Sequence, residues 1–491
     1  MGENEDKKLS ELIESAMLEA PPDDIARRVT PWRRAMVEIV LGLLLTTITF
    51  GRGFLYYVLT FAGVLLLLGG FRTLRRVNAG FAWCFRLTLL NTACVVIPRV
   101  LDAALPIYVP SFLDGAGLAW LGTAIRLLTF IAMWRALCQV KAAAGQKPEA
   151  PAAKWLIAWY ILAIVLALAD THGTLAVLMI VLYAVLLWLL WRMIKGIEEA
   201  GYEMRPAPVR MTNLALAAII TAVTLLGIAI GLTFFDKYPM HWQPQEDSCE
   251  AQLRAELAEL GFPEDVLADL TDEEVRSFDG AEYVLVSDSE DQLTGGWVNG
   301  TDFEKLRMTH VSVRLPGEGG VWRTVVHFNW LDGAHFYGTE AFQAWLGEHY
   351  IGLGFAAHGP YSGRVLYDAD GGTMVSEYYS LTCGGETVES IFGSSNIYML
   401  TGQFSFPSRG ENQRGYLIYT QCLTEPADGN TDILAQPHYM KVLRPFVYPA
   451  ADIMSADSPS LSFSGDMETY GHAFEDYVFR DILETETEGV S

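Results

Sequence analysis

Five histidines in the C-terminal half are the residues whose type could most directly hold a metal ion. They fall within about 50 residues of one another, at His310, His327, His335, His349 and His358. Zinc ligands usually recur at short fixed spacings, and no pair here has such a spacing. Glu348-His349 lacks the second histidine of a His-Glu-x-x-His helix. We therefore interpret these histidines as surface or hydrogen-bonded core residues and predict no metal site.

The segment Asp368-Ala-Asp370-Gly-Gly372 begins like a calcium-binding loop, in which carboxylates at alternate positions hold the ion. Its downstream Glu377 is at the tenth position rather than the twelfth, and strand-like sequence flanks it, so a hairpin turn is favoured. Gly359-Pro-Tyr-Ser362-Gly has the wrong spacing for a nucleophile elbow. Gly352-Leu-Gly354-Phe-Ala-Ala357 lacks the strand and helix of a dinucleotide site. We predict that the protein is not an enzyme and has no cofactor.

Five polar side chains of the apolar N-terminal half could line a path for a solute or a proton. Four lie inside predicted membrane spans and one in an adjacent loop: Glu38, Arg86, Asn91, Arg126 and Asp102. An arginine near the centre of a membrane helix costs about 2.5–3.5 kcal/mol, so it requires a compensating partner. We expect Glu38 to pair with Arg86, and Arg126 to pair with Asp102 or Asp114. Structural pairing within the bundle is the favoured interpretation, because the charges are few.

Seven apolar segments before residue 236 predict a polytopic α-helical membrane bundle. Each has the length of a helix that crosses ~30 Å of hydrocarbon, which takes about 20 residues. The predicted spans are 35–50, 54–71, 80–98, 117–140, 155–170, 174–194 and 213–235. The chain opens with acidic and polar residues, which is not the pattern of a signal peptide.

The basic residues predict how the bundle is oriented. If the N-terminus is cytoplasmic, the inner segments carry sixteen Lys and Arg, whereas the short outer loops carry only Arg52 and Arg99. Lys and Arg collect in cytoplasmic loops, so this orientation is favoured. An odd number of spans then places the chain after Phe235 outside. A cysteine-poor polytopic chain with an acidic outer half is typical of a bacterial plasma-membrane protein.

Charge divides at the same boundary as hydrophobicity. Residues 236–491 carry 13 basic and 42 acidic residues, a net charge of −29, whereas the residues before them carry +5. An acidic domain argues against nucleic acid and anionic lipid as partners, since both are polyanions. The acidity fits either a domain that attracts cations or one that is simply kept soluble.

The acidic half predicts a short helical linker and then a mainly-β, sandwich-like extracytoplasmic domain. The linker, 236–280, contains a capping box at Thr271-Asp-Glu-Glu274. The domain, 281–481, changes to a period of two, and 310–315 with 320–330 predict a hairpin. Eight or so strands with Gly, Asp and Asn turns favour an antiparallel sandwich.

Three further segments complete the predicted layout. Gly338–Glu348 is predicted as one helix of the β-rich domain. The acidic tail 482–491 has no core face and is predicted to be disordered. Residues 1–34 form a cytoplasmic segment in which 9–20 has an apolar helical stripe, at Leu9, Leu12, Ile13, Ala16 and Met17. That stripe packs either on the protein's own loops or on a cytosolic protein partner.

Three cysteines fall in the acidic half, so at most one intramolecular disulfide can form there. Cys383 and Cys422 both lie on strand-like segments and are the candidate pair, whereas Cys249 lies before the strands. So few cysteines are not the pattern of a disulfide scaffold, which leaves free thiols as the alternative.

The size of the outer half motivates the functional prediction. An anchor needs one span, and a transporter needs no appendage of this size, so we predict an integral membrane protein that presents an extracytoplasmic binding or sensing domain for an outside ligand. A transporter or channel with an extracytoplasmic cap is the first alternative. An assembly or scaffold protein of the envelope is the second.

Overall fold

A computed structural model of the chain divides it into two compact units. The helical unit comprises residues up to 101 and 109–229, and the β unit comprises 102–108 and 230–491. The structure describes residues 30–47, 54–110, 115–169, 174–202, 204, 210–293, 304–316, 321–332, 335–347, 355–369, 371–390, 393–423, 433–442, 448, 450, 452–453, 467–471 and 474–476. The predicted stripe at 9–20 and tail at 482–491 lie outside these residues.

Seven helices make up the described part of the helical unit. They are α1 Pro31–Thr47, α2 Phe54–Leu74, α3 Ala79–Leu101, α4 Gly115–Ala143, α5 Pro151–Leu168, α6 Thr174–Glu199 and α7 Asn213–Phe234. The last six are long and apolar enough to span a membrane, which indicates a multi-pass membrane protein. The first has 17 described residues, slightly fewer than the ~20 that a span requires.

Glycines let α1 and α2 pack with their backbones in close contact. A Cβ on Gly42 would lie 2.8 Å from the carbonyl oxygen of Gly63, and one on Gly70 would lie 2.7 Å from that of Ala35. Residue 42 is thus beside 63 while residue 35 is beside 70, so the two helices are antiparallel. Small residues at such contacts allow the close van der Waals packing that holds membrane helices together. The two helices thus form a closely packed antiparallel pair.

The described part of the β unit contains three short α-helices and thirteen strands. The helices are α8 Ala251–Glu259, α9 Glu264–Asp269 and α10 Asp272–Arg276. The strands are β1 Gln243–Pro244, β2 Tyr283–Leu293, β3 Glu304–Arg314, β4 Val321–Asp332, β5 Tyr337–Gly347, β6 Phe355–Ala369, β7 Gly372–Glu377, β8 Ser380–Ser390, β9 Gly393–Phe404, β10 Glu411–Leu423, β11 Ile433–Val442, β12 Met467–Gly471 and β13 Phe474–Asp476.

The strands form two antiparallel sheets. Sheet A has the order β1-β7-β6-β10-β4-β3-β2, and sheet B has the order β12-β11-β5-β9-β8, with β13 also pairing with β11. The predicted hairpin is confirmed, since β3 pairs with β4 along its length. The calcium-like segment is also a hairpin turn as favoured, because Ala369 on β6 pairs with Gly372 on β7.

Two apolar layers hold the β unit together. The layer between the sheets contains Phe328 from sheet A with Phe342, Phe404 and Tyr439 from sheet B. A second layer lies on the other face of sheet A, where α8–α10 pack their apolar side chains; it contains Leu257, Phe262, Val266, Leu267, Leu270, Val275, Phe278, Val311, Val313, Val325, Leu366, Tyr416 and Ile418. Burial of these side chains is the main force that stabilises the unit.

The predicted helix at Gly338–Glu348 is wrong, because most of it forms strand β5. This strand lies between β11 and β9 in sheet B. Residues 340–344, including Glu340 and Gln343, are all buried, so the sequence shows no alternation of polar and apolar side chains. Its Ala, Glu, Gln and Leu are good helix formers, but pairing on both edges outweighs that local preference.

A buried acid and a buried base face each other across β5 and β11. Glu340 is opposite Lys441 in the register, and each side chain is 1% exposed. The Lys441 ammonium lies 4.6 Å from the centroid of the Trp330 ring. Burial raises the pKa of Glu340 to about 8, because loss of hydration outweighs the attraction of Lys441 and Lys237.

This raised pKa predicts a characteristic pH dependence of stability. Glu340 favours its protonated form in the folded state, so its contribution is complete below the ordinary glutamate pKa near 4.5 and is lost as pH rises toward 8. The variant Glu340→Gln should therefore gain several kcal/mol relative to wild type between pH 5 and pH 8.5. Thermal unfolding of the full chain in detergent, followed by tryptophan fluorescence, measures this difference.

The matched control for that experiment is Glu282→Gln, whose carboxylate lies 3.6 Å from Arg314 and is 52% exposed. Its melting temperature relative to wild type should be the same at both pH values. An equal shift of Glu340→Gln at pH 5 and pH 8.5 would contradict the raised pKa.

Candidate functional site

The structure does not bring Glu38 and Arg86 together, so their predicted pairing is wrong. Glu38 lies 3.7 Å from Arg34, one helical turn away, and beside Gly69 of α2 and Asn213 of α7. The Arg86 guanidinium lies 5.0 Å from the centroid of the Trp83 ring. Each charge thus has a neighbour on its own helix, which favours the structural interpretation, although the second carboxylate oxygen of Glu38 is buried without a hydrogen bond to a described residue.

The other intramembrane candidates also have local neighbours. Arg126 donates to the backbone oxygen of Thr46, 3.2 Å away, at the C-terminal end of α1. That end has unpaired carbonyls and a partial negative charge, so a guanidinium stabilises it. Asn91 is buried on α3 next to Gly122 of α4. Asp102 belongs to the β unit, where its backbone oxygen accepts from the N–H of Ala450 at 2.7 Å. Asp114 lies outside the described residues.

The sequence did not indicate a polar cluster that joins α2 to the start of α7. Arg72 is 7% exposed and donates to the side-chain oxygen of Asn213 at 3.2 Å and to the backbone oxygen of Met211 at 3.0 Å. Asn213 in turn donates to the backbone oxygen of Gly69 at 3.0 Å. Arg72 thus satisfies carbonyls that precede α7, a role that its place near the end of a predicted span does not reveal.

The histidines and cysteines of the β unit fall at separate places in the described part of the chain. His310 lies 3.1 Å from the Ser312 hydroxyl, His327 binds Asp269, and no group of His, Cys, Asp and Glu with metal-site geometry occurs among described residues. Cys383 is exposed on β8. The side chain of Cys422, on β10 of the other sheet, lies outside the described residues, so its disulfide stays a prediction.

A charged groove on the β unit is the candidate functional site. It lies between α10, the middle of β6 and the connection from β7 to β8, and has a volume of about 530 Å³. We call it the Arg364 groove. Arg364 also lines two further cavities of about 430 and 490 Å³, which flank it along β7. The groove is lined by Thr271, Glu273, Glu274, Ser277, Arg323, Pro360, Tyr361, Ser362, Gly363, Arg364, Glu377, Tyr378 and Leu381.

One wall of the groove is the N-terminus of α10, where the predicted capping box is confirmed. The Thr271 hydroxyl accepts from the N–H of Glu274, and the Glu274 carboxylate accepts from the N–H of Thr271. Glu274 also accepts from the hydroxyls of Ser362 at 2.7 Å and Tyr416 at 2.6 Å. Both of its oxygens are therefore occupied, so Glu274 holds α10 on sheet A and is not available to a ligand.

The opposite wall is the connection that carries the chain from sheet A to sheet B. The Tyr378 ring is inserted between Gly363 of β6 and Gly402 of β9, where Cβ atoms would lie 2.8 and 2.6 Å from the ring. Its hydroxyl donates to the backbone oxygen of Tyr416 at 3.1 Å. Only glycine leaves room for the ring at these two positions, so the crossover is fixed where the groove is formed.

A buried ionic network supports the groove from behind. Asp269, at the end of α9, accepts from His327 at 2.9 Å and from Arg414 at 2.8 Å. Arg414 also donates to Asp368 at 3.0 Å, which accepts in addition from Asn412. The network joins the short helices to β4, β6 and β10. It lowers the pKa of Asp368 and raises that of Arg414, and both shifts are smaller than the ion pairing alone would give because burial opposes them.

The groove contains charges of both signs that have no partner among the described residues. Arg364 makes no ion pair or side-chain hydrogen bond there, and the Nε of Arg323 is buried without an acceptor. Arg323 lies against the Phe278 ring, and burial lowers its pKa. Glu273 and Glu377 are exposed carboxylates that make no ion pair with a described residue.

Other charges near the groove are already engaged. Asp272 accepts from the N–H of Cys249 at 2.7 Å and from Arg254 at 3.1 Å. These bonds, with one from Ser248, lower the pKa of Asp272 to about 2. Arg276 lies 2.8 Å from Glu250. The charged side chains of the groove wall that can bind a ligand are thus Arg323, Arg364, Glu273 and Glu377.

Sequence reasoning missed this groove because its residues come from separated elements. Arg323, Arg364 and Glu377 lie on β4, β6 and β7, and only the antiparallel register places Arg364 opposite Glu377. The capping box was the one recognisable signal. Comparison with protein-family models gave no match, and comparison with curated proteins also gave none. The geometry of the groove therefore carries the functional conclusion.

Proposed function

We propose that this is a multi-pass membrane protein that presents its β unit outside the membrane as a ligand-binding or sensing module. The observation that carries the proposal is the Arg364 groove, a cavity of about 530 Å³ in which unpartnered arginines and carboxylates meet. Ligand sites are concave, have volumes of roughly 300–1,000 Å³ and use a few convergent polar groups.

The surface of the helical unit supports its insertion into lipid. Large apolar side chains stay exposed on α6 and α7, with Val177 at 61%, Val223 at 62% and Leu214 at 80%. Such surfaces are stable in hydrocarbon and unstable in water. The antiparallel pairing of α1 with α2 supports α1 as a seventh span, and seven spans with the basic residues inside put the β unit outside.

The transporter alternative has less support from the described residues. Glu38 of α1 lies beside Gly69 of α2, and Arg126 of α4 donates to the backbone oxygen of Thr46 on α1. The Arg86 guanidinium lies against Trp83 of its own helix. Charges that line a transport path usually face a shared cavity. These charges are instead used to hold helices.

The location of the β unit is tested with the protein's own thiols. Cys249 and Cys383 are exposed on the β unit, so each can be retained as the only cysteine of the chain. A membrane-impermeant maleimide added to intact cells should label both. The control is Lys147→Cys in a cysteine-free background, at an exposed position between α4 and α5. That cysteine should react only after permeabilisation.

Binding itself is tested with a library of cationic, anionic and zwitterionic metabolites. The melting temperature of the full chain in detergent should rise with one class of compound, and the rise should be lost in Arg364→Gln. Labelling of Lys147→Cys but not Cys383 in intact cells would overturn the proposed topology. A library without any Arg364-dependent shift would overturn the proposed binding site.

A further inference from the structure

We propose that the Arg364 groove binds a small molecule that carries both an ammonium and a carboxylate, such as an amino acid or a short peptide. This inference rests on the proposed binding function and specifies its ligand. It follows from three features of the groove: unpartnered cations, unpartnered anions and the net charge of the surroundings.

The guanidinium groups of the groove recognise the anionic end of the ligand. Arg364 lines the groove with no ion pair or side-chain hydrogen bond to a described residue, and Arg323 lines the same groove from β4. A planar guanidinium matches a carboxylate with two parallel hydrogen bonds. The Arg323 Nε is buried and lacks an acceptor, and a buried donor without a partner costs about 1–3 kcal/mol. A ligand carboxylate in the groove would place a negative charge beside both guanidinium groups.

The carboxylates of the groove recognise the cationic end of the ligand. Glu377 is opposite Arg364 on β7, and Glu273 projects from α10 on the other wall. Neither makes an ion pair with a described residue, whereas the Glu274 carboxylate of the same groove is engaged in hydrogen bonds to Ser362 and Tyr416. An ammonium group between Glu273 and Glu377 would thus meet two free carboxylates.

The surroundings disfavour a ligand that is only anionic. Residues 236–491 carry a net charge of −29, so a purely anionic ligand is repelled on approach, whereas a neutral zwitterion is not. A purely cationic ligand would leave Arg364 without an anion and would place a new positive charge close to both arginines. A zwitterion satisfies both signs, and Tyr361 and Leu381 give its organic part an apolar surface.

Three peptides test separately whether the groove recognises the ammonium and the carboxylate of the ligand. Triglycine has both charged ends, N-acetyl-triglycine lacks the ammonium, and triglycine amide lacks the carboxylate. Titration calorimetry on the full chain in detergent should show that triglycine binds at least about tenfold more tightly than either blocked peptide. An equimolar mixture of free amino acids should compete with triglycine.

Two variants assign each end of the ligand. Arg364→Gln should lower the affinity for triglycine to about the affinity of the wild type for triglycine amide. Glu377→Gln should lower it to about the affinity of the wild type for N-acetyl-triglycine. The matched controls are Arg409→Gln and Glu411→Gln, which change the same residue types at exposed positions outside the groove and should leave all affinities unchanged. Melting temperatures check that each variant folds.

Several results would overturn the zwitterion assignment. One is equal affinity for the three peptides, and another is no binding of triglycine or of the amino-acid mixture. Arg364-dependent binding of simple dicarboxylates alone, or of diamines alone, would also overturn it. Those last two results would leave the proposed binding function standing, so the two failures are distinguishable.

Discussion

Replacing Asp269 with alanine is expected to destabilise the β unit by about 3–5 kcal/mol. The side chain is 4% exposed and accepts from two partners, the His327 imidazole at 2.9 Å and the Arg414 guanidinium at 2.8 Å. Removing it leaves the Arg414 guanidinium, which is 14% exposed, with Asp368 as its remaining carboxylate partner among the described residues. Breaking one partner of a buried ion pair is costly because the remaining charge stays desolvated.

Hydrogen exchange measured by mass spectrometry gives the size of this effect within the intact chain. Amides of β10 should exchange roughly 100- to 1,000-fold faster or more in Asp269→Ala, since about 1.4 kcal/mol corresponds to a factor of ten. The matched control is Asp265→Ala on the same helix, whose carboxylate is 52% exposed and pairs with Arg307. A surface pair contributes about 0–1 kcal/mol, so exchange there should change little. Equal effects of the two variants would show that the buried network does not hold the helices on sheet A.

Gly363→Ala is expected to be the most disruptive single methyl addition on this face, with a loss of about 3 kcal/mol or more. The added Cβ would lie 2.3 Å from the backbone oxygen of Tyr416 and 2.8 Å from the Tyr378 ring. The strand backbone cannot move without breaking the pairing of β6 with β10, and Gly402 confines the ring on its other side. The crossover between sheets would therefore be displaced together with one wall of the groove.

Gly384→Ala is the matched control, because a Cβ there meets no atom within 4 Å on an exposed part of β8. In thermal unfolding of the full chain, the melting temperature should drop clearly for Gly363→Ala and change negligibly for Gly384→Ala. The groove should also lose its ligand response in the first variant only. A melting temperature for Gly363→Ala within the error of wild type would mean that Tyr378 can leave its position at little cost.

The sequence predicted the helices and strands of this protein better than the contacts between them. Six of the seven predicted spans correspond to helices that could cross a membrane, because a long apolar run has few stable alternatives to a membrane helix. The hairpin of β3 and β4 and the capping box at Thr271 were also predicted, since both depend on residues close in sequence. Strand β5 was mistaken for a helix, because burial on both faces removed the alternation that identifies a strand.

The functional groove was decided by the tertiary structure alone. Local sequence determines the period of an element and the residues that cap it, because these depend on contacts over a few positions. Whether Arg364 stands opposite Glu377, and whether Glu274 is saturated by Tyr416, depends on register and on sheet packing over as many as 142 positions. A charge that is free and one that is fully paired look the same in the sequence. Only the fold separates the carboxylates that hold the structure from those left to bind.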